Sequence, residues 1–179
     1  AKRTIMFSGS PGSISKTACT TTSVFSPKIK AELKHAVQEY LKVSQQGESP
    51  AGSYGPIGEW DVSSVTNMHK IFFTAISFNG DVSKWDVSSV TTMGAMFLAA
   101  TSFDSDISKW DVSRVSHMAG MFSEATSFNG DISKWDVSSV KDMAFMFNRA
   151  TKFNCDLSNW DVSSVTDMSP MFERAAAFN

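Results

Sequence analysis

The five tryptophans of this chain, Trp60, Trp85, Trp110, Trp135 and Trp160, stand 25 residues apart without one insertion. No other feature restricts the fold as much, because a strict period of this length marks one supersecondary unit that is copied and stacked. Other columns keep the step. They are Asp61, Asp86, Asp111, Asp136 and Asp161, the valines from Val65 to Val165, the methionines from Met68 to Met168, and two phenylalanine columns beginning at Phe72 and Phe78. The copying is close to literal: residues 106–115 read DISKWDVSRV and residues 131–140 read DISKWDVSSV.

One copy, Ile132 to Asn154, divides by period. Trp135 and Val137 alternate with Lys134 and Asp136, the pattern of a strand. Met143, Met146, Phe147 and Ala150 follow at steps of three, one and three, the face of a short helix. In the last copy Ser169 suits a helix N-cap and Pro170 the first helical position. Gly80 and Gly130, after Asn79 and Asn129, supply the turn back to the next strand. A strand, a short helix and a turn cannot bury both apolar faces alone, so the copies must share a core. The expected fold class is α/β: a solenoid of about five 25-residue coils over residues 57–179, each with a short parallel strand and a short helix. With strands about 4.8 Å apart the stack is only about 24 Å long. Helices need more room than strands, so the strand side becomes the concave face.

Residues 26–43, SPKIKAELKHAVQEYLKV, read differently. Ser26 caps, Pro27 starts, and Ile29, Leu33, Ala36, Val37, Tyr40 and Leu41 make one apolar stripe. This helix is expected to cover the first coil, with a membrane-surface amphipathic helix as the alternative. The Gly/Pro/Ser-rich residues 45–56 link it to the repeats, so 26–56 form a capping helix and linker and 1–25 a polar, basic, extended leader. Residues 1–31 hold five Lys/Arg and no Asp/Glu, a composition shared by organellar transit segments and by flexible polar leaders. The chain opens on Ala1 and closes in mid-repeat at Asn179, which reads as a trimmed piece. A formal net charge of −2 argues against nucleic acid as a partner, and no stretch approaches the roughly 20 apolar residues that span a bilayer. Cys19 and Cys155 make no disulfide framework.

The columns I/V/L-S-x-W-D-V-S-x-V-x-x-M-x-x-M-F-x-x-A-x-x-F-N resemble the BspA-like branch of the leucine-rich repeats, in the Trp/Met-rich form found in mycoplasma surface proteins and multi-copy microalgal proteins. The resemblance covers residues 57–179. Ile132-Ser-Lys-Trp135-Asp-Val137 sits where that family writes L-x-x-L-x-L, and Val140 stands where it writes Asn or Cys, so its buried Asn ladder should be missing. The resemblance implies a curved solenoid used for protein binding or adhesion, and no reaction.

The ladders carry the remaining expectations. Exposed indoles could stack on sugars, but Trp135 shares a face with Val137 and should be core. Asn129, Asp131 and Ser133 imitate a calcium loop that fails at Lys134 and Val140, leaving their oxygens to cap backbone N–H groups. Lys84, Lys109 and Lys134 lie two residues before Asp86, Asp111 and Asp136, so two rows of opposite sign should form a compensated stripe. Glu59 and Asn159 interrupt the lysine row, and Arg114 intrudes among Ser64, Ser89, Ser139 and Ser164. Residues 9–17, GSPGSISKT, lack both glycines of a phosphate loop, and His35, His69 and His117 are isolated from one another. No catalytic, cofactor or metal site emerges. The expected function is a non-enzymatic protein-interaction scaffold, in its specific form a peripheral subunit of an organellar, photosynthetic complex in a plastid. A secreted or cell-surface adhesin is the alternative, and a carbohydrate-binding module the second. Partner-binding candidates are Lys84, Lys109, Arg114 and Lys134 on the concave face, and Trp160, Met168 and Phe172 on an open C-terminal edge. The leader is a third contact.

Overall fold

The computed structural model describes residues 24–45 and 53–179. Expectations for the leader up to residue 23, including GSPGSISKT and Cys19, and for residues 46–52 of the linker fall outside the described residues. Over 57–179 the copies stack in register, as layers 57–81, 82–106, 107–131, 132–156 and 157–179. Equivalent residues lie over one another: Asn67 pairs with Thr92, Thr92 with His117, His117 with Asp142, and Asp142 with Asp167, all as isolated parallel bridges.

The expected α/β class is incorrect. Among the described residues no sheet forms and no α-helix lies within the repeats; apart from the short 3-10 helix Ile57–Glu59, each layer is a chain of tight turns. In the fourth layer the Trp135 N–H donates to the Ile132 carbonyl (3.1 Å), Val140 to Val137 (2.9 Å), Met146 to Met143 (3.1 Å), Ala150 to Phe147 (3.0 Å) and Phe153 to Ala150 (3.1 Å). All of these side chains are buried. A β-turn brings its first and fourth residues together, so apolar residues three apart share a side in a turn as they do in a helix. Met143 to Ala150 therefore fit the face of a helix and a run of turns equally well. The apparent strand alternation of Trp135 and Val137 is the junction between two successive turns.

Backbone hydrogen bonds exclude the helix for a second reason. The N–H groups of Met143, Phe145, Phe147 and Arg149 donate to Asp167, Ser169, Met171 and Glu173 of the next layer at 2.7–2.9 Å. Those between them, of Met146 and Asn148, close turns within the layer. An α-helix would need every N–H to bond four residues back. Aiming alternate N–H groups out of the layer requires left-handed backbone, found at Lys70, Ala95, Gly120 and Phe145 and again at Thr74, Ala99, Glu124, Arg149 and Arg174, with φ between 52° and 63°. In the fifth layer Pro170 occupies the first of these columns. Its ring forbids positive φ, and neither it nor Ser169 begins a helix there: the Ser169 N–H donates to Asp167 Oδ1 (2.9 Å).

The interior is aromatic. Phe72, Phe97, Phe122, Phe147 and Phe172 stack at 5.3–5.7 Å between centroids, and Phe78, Phe103, Phe128, Phe153 and Phe178 at 5.8–6.0 Å. Within a layer the two rings lie closer, 3.8 Å for Phe97 and Phe103. The two columns step alike, and without helices the reason to expect a concave face is gone. Each indole is buried and hydrogen-bonded: the Trp85, Trp110, Trp135 and Trp160 Nε1–H groups donate to the carbonyls of Ile57, Val82, Ile107 and Ile132 one layer below at 2.8–3.1 Å.

Before the layers runs α1, Lys30–Gln45. It begins later than residues 26–43 suggest, because Ser26 is spent elsewhere: its hydroxyl donates to Asp61 Oδ2 (2.8 Å) while the Phe25 carbonyl accepts the Asp61 N–H (2.9 Å). Leu33, Ala36 and Val37 are buried against the first layer, and Tyr40 meets Trp60 and Phe78 edge-on. Ile29, placed in the apolar stripe on sequence, is exposed. Gly80 and Gly130 are not left-handed; a Cβ there would press on the rings of Phe78 and Phe128. Their counterparts Ser105 and Cys155 carry one, so the glycines are accommodated rather than required.

Left-handed backbone costs a side-chain-bearing residue roughly 1–2 kcal/mol, and most at a β-branched one. Thr74→Gly should therefore raise unfolding free energy by about 1 kcal/mol in urea titrations. Gly120→Ala should lower it by about 1 kcal/mol, through the backbone alone, since the nearest atom to an added Cβ is Leu98 Cδ1 at 3.7 Å.

Candidate functional site

With apolar residues turned inward, everything chemically distinctive lies in exposed polar columns. The pentad Asp-apolar-Ser-x-apolar occurs twice per layer, as Asp131 to Trp135 and Asp136 to Val140, except in the first, where Pro56-Ile57-Gly58-Glu59-Trp60 replaces one copy. Asp131 Oδ1 accepts both the N–H (3.0 Å) and the hydroxyl (2.7 Å) of Ser133; Asp136 Oδ1 does the same with Ser138 at 3.1 and 2.6 Å. Asp61, Asp86 and Asp111 repeat the pair with Ser63, Ser88 and Ser113. These side-chain turns open each β-turn. Of the oxygens that imitate a calcium loop, Asp131 Oδ1 is engaged by Ser133 and Asn129 Oδ1 by the Asn154 N–H.

Hydrogen bonding stabilises the ionised carboxylates. The Ser113 hydroxyl, then its N–H, holds Asp111 below the ordinary carboxylate range, and Ser138 does so for Asp136 although the charges of Asp111 and Asp161 push the other way. Ser63 and Ser26 hold Asp61 down in the same manner. This is how like charges stack one layer apart.

Lys84, Lys109 and Lys134 form one exposed column, with Arg114 exposed in another. They do not compensate the Asp86 row. Among the described residues the ion pairs are Lys42–Glu39, Arg149–Glu124 and Arg174–Glu173. The lysine charges act instead on Asp81, Asp106 and Asp131, three residues upstream, where each is a minor cause of a lowered carboxyl pKa after the serine bonds. The physical reason is the turn: Lys134 sits at the third position of Ile132–Trp135, so it and Asp136 are not neighbours on an extended strand.

Trp160, Met168 and Phe172 lie together in the fifth layer. Trp160 is buried and Phe172 half-buried, whereas Met168 is 40% and Val162 39% exposed; Met68, Met93, Met118 and Met143 are fully covered. The sequence points to Asn129 and its counterparts as acceptors of backbone N–H groups at their own turns, whereas the donors lie one layer on. Asn79 Oδ1 accepts the Asp104 N–H, Asp104 that of Asn129, Asn129 that of Asn154, and Asn154 that of Asn179, at 2.8–3.2 Å. The spacing of 25 was the visible signal of this ladder. Val140 is buried apolar, and this side-chain ladder runs in a different, exposed column. Cys155 is half-buried, its thiol pKa raised by burial.

Residues 44–140 and 107–179 match the family model described as DUF285, Mycoplasma protein of unknown function. No curated protein and no solved structure matches the chain.

The carboxylates set an acid limit on the fold. A depressed folded pKa contributes stability that is fully present above the unfolded value of about 3.9 and is lost as pH falls through the folded value. The melting temperature should therefore hold down to about pH 4 and fall below it. The double variant Ser113→Ala/Ser138→Ala should melt lower at neutral pH and lose less on acidification, as read by thermal scans across pH.

Proposed function

The chain belongs to the DUF285 family of mycoplasma-type repeat proteins, and from that starting point we propose that it is a non-enzymatic scaffold that binds a protein partner. The observation that carries this reading is display: a hydrogen-bonded stack presents Lys84, Lys109 and Lys134 in one solvent-facing column at layer spacing. Arg114 stands exposed one turn away in the third layer. Such a column suits an extended acidic segment whose charges repeat at a similar step. Val162, Met168 and the edge of Phe172 offer an apolar contact on the fifth layer for the same partner.

Two features support a binding rather than a catalytic role, and a third argues against sugar as the ligand. Carboxylates in the Asp/Ser columns are consumed by turn formation, the Cys155 thiol is made less acidic by its burial, and the indoles that could have stacked on sugar are in the core. A carbohydrate-binding module thereby loses its main feature. The likeness to BspA-like leucine-rich repeats rests on the column pattern. The adhesin reading is favoured by the mycoplasma description of the family model. The narrower reading, a peripheral subunit of an organellar complex, rests on the composition of residues 1–31.

Crosslinking pull-down from native extract is the test. A triple variant, Lys84→Glu/Lys109→Glu/Lys134→Glu, should lose the captured protein by tenfold or more while keeping its melting temperature within a few degrees. Equal capture by the variant, or recovery of the wild-type chain as a free monomer, would overturn the reading.

A further inference from the structure

The repeat shows what each exposed position holds in successive layers, and the first layer departs from the others at several of them. Residue 73 is Phe, and its counterparts in later layers are Leu98, Ser123, Asn148 and Glu173. Residue 76 is Ile where the next three layers have Thr101, Thr126 and Thr151. Residues 69 and 70 are His and Lys where the next layers have Gly94-Ala95 and Ala119-Gly120. Phe73 is 43% and Ile76 61% exposed, so stacking does not require them. Apolar residues in open solvent that break a repeat in one layer point to a surface with an occupant.

The same edge is cationic. Lys70 Nζ lies 5.4 Å from the Phe73 ring centroid. Lys30 and Lys34, four apart on α1, share a helix face, and Ile29 beside them is 57% exposed. Burial, then the charges of Lys34 and Lys70, depress the Lys30 ammonium, and burial followed by Lys30 and Lys70 depresses His69. Two groups on separate elements thus report one cluster of like charge. Glu32 on the same turn accepts the Lys28 N–H at 2.7 Å and forms no ion pair with these lysines among the described residues. Charge is also segregated along the chain: residues 1–45 hold seven Lys/Arg and two Asp/Glu, residues 46–179 nine and sixteen.

We propose that this edge, where α1 meets the first layer, docks onto an anionic phospholipid surface. Lys30, Lys34 and Lys70 meet headgroup phosphates, and Ile29, Phe73 and Ile76 enter the boundary between headgroups and acyl chains. The cations favour lipid over an acidic protein. All three are lysines, point charges suited to diffuse phosphates, and unlike the Lys84 column they stand with exposed apolar side chains. Pairing of lysines with exposed apolar side chains is the composition of interfacial membrane binding. The acidic remainder of the chain is repelled by the same lipids, which fixes the orientation.

The test is co-sedimentation of the full chain with phosphatidylcholine vesicles, with and without phosphatidylserine. Binding is expected only when phosphatidylserine is present, and should weaken with salt. Lys30→Gln/Lys34→Gln/Lys70→Gln should reduce affinity on the order of 100-fold. Phe73→Ser/Ile76→Ser should reduce it while leaving the salt dependence unchanged. Lys70, Phe73 and Ile76 are exposed and Lys30 and Lys34 half-buried, and tryptophan fluorescence confirms that the core of each variant is intact. Absence of phosphatidylserine-dependent binding, binding by the lysine variant equal to that of the wild type, or displacement of the chain from vesicles by polyglutamate at equal charge would overturn the proposal.

Discussion

Alternation of backbone N–H direction is the constraint on which this architecture depends. In the segments from Met68 to Thr74 and their counterparts, one N–H reaches the next layer and the following one closes a turn in its own. The left-handed residues make this alternation possible, and most of them are not glycine. Their strain is held by what surrounds them. The ladder bonds satisfy backbone groups that would otherwise be buried without partners, and stacked phenylalanines are removed from water on both faces. Neither term suffices alone: a turn without the ladder leaves donors unmet, and a ladder without aromatic filling encloses a void.

Side chains extend the same logic outside the core. Serine and aspartate start turns, indole N–H groups tie each layer to the one below, and Asn79 and its counterparts add a third tie. Every one of these bonds runs either within a pentad or into an adjacent layer, 25 residues away for the Asn79 column and 28 for the indoles. One sequence motif therefore serves the fold twice, locally through the turn it opens and at long range through the column it joins.

Much of this was legible in the sequence. The period of 25, the burial of the indoles and the capping role of the aspartates followed from spacing and residue type. Secondary structure did not, because apolar residues at i and i+3 satisfy a helix and a β-turn equally, as at Met143 and Met146. Separating them needed the sign of φ at Phe145 and Arg149, which neither side chain announces. Ser26 was misassigned for a different reason: its partner, Asp61, is 35 residues away, beyond local reasoning. The lysine column was read correctly as a column, while its electrostatic partner shifted from Asp136 to Asp131 once the strand became a turn.

Pro170 has a consequence for how layers couple. It stands where Phe145 gives its N–H to Ser169, and it has none to give. Any polypeptide seated on the fifth layer, whether kin or stranger, meets a rung that cannot bind it. Coupling from the fifth layer to whatever succeeds it therefore has one hydrogen bond fewer than the coupling from the fourth layer to the fifth.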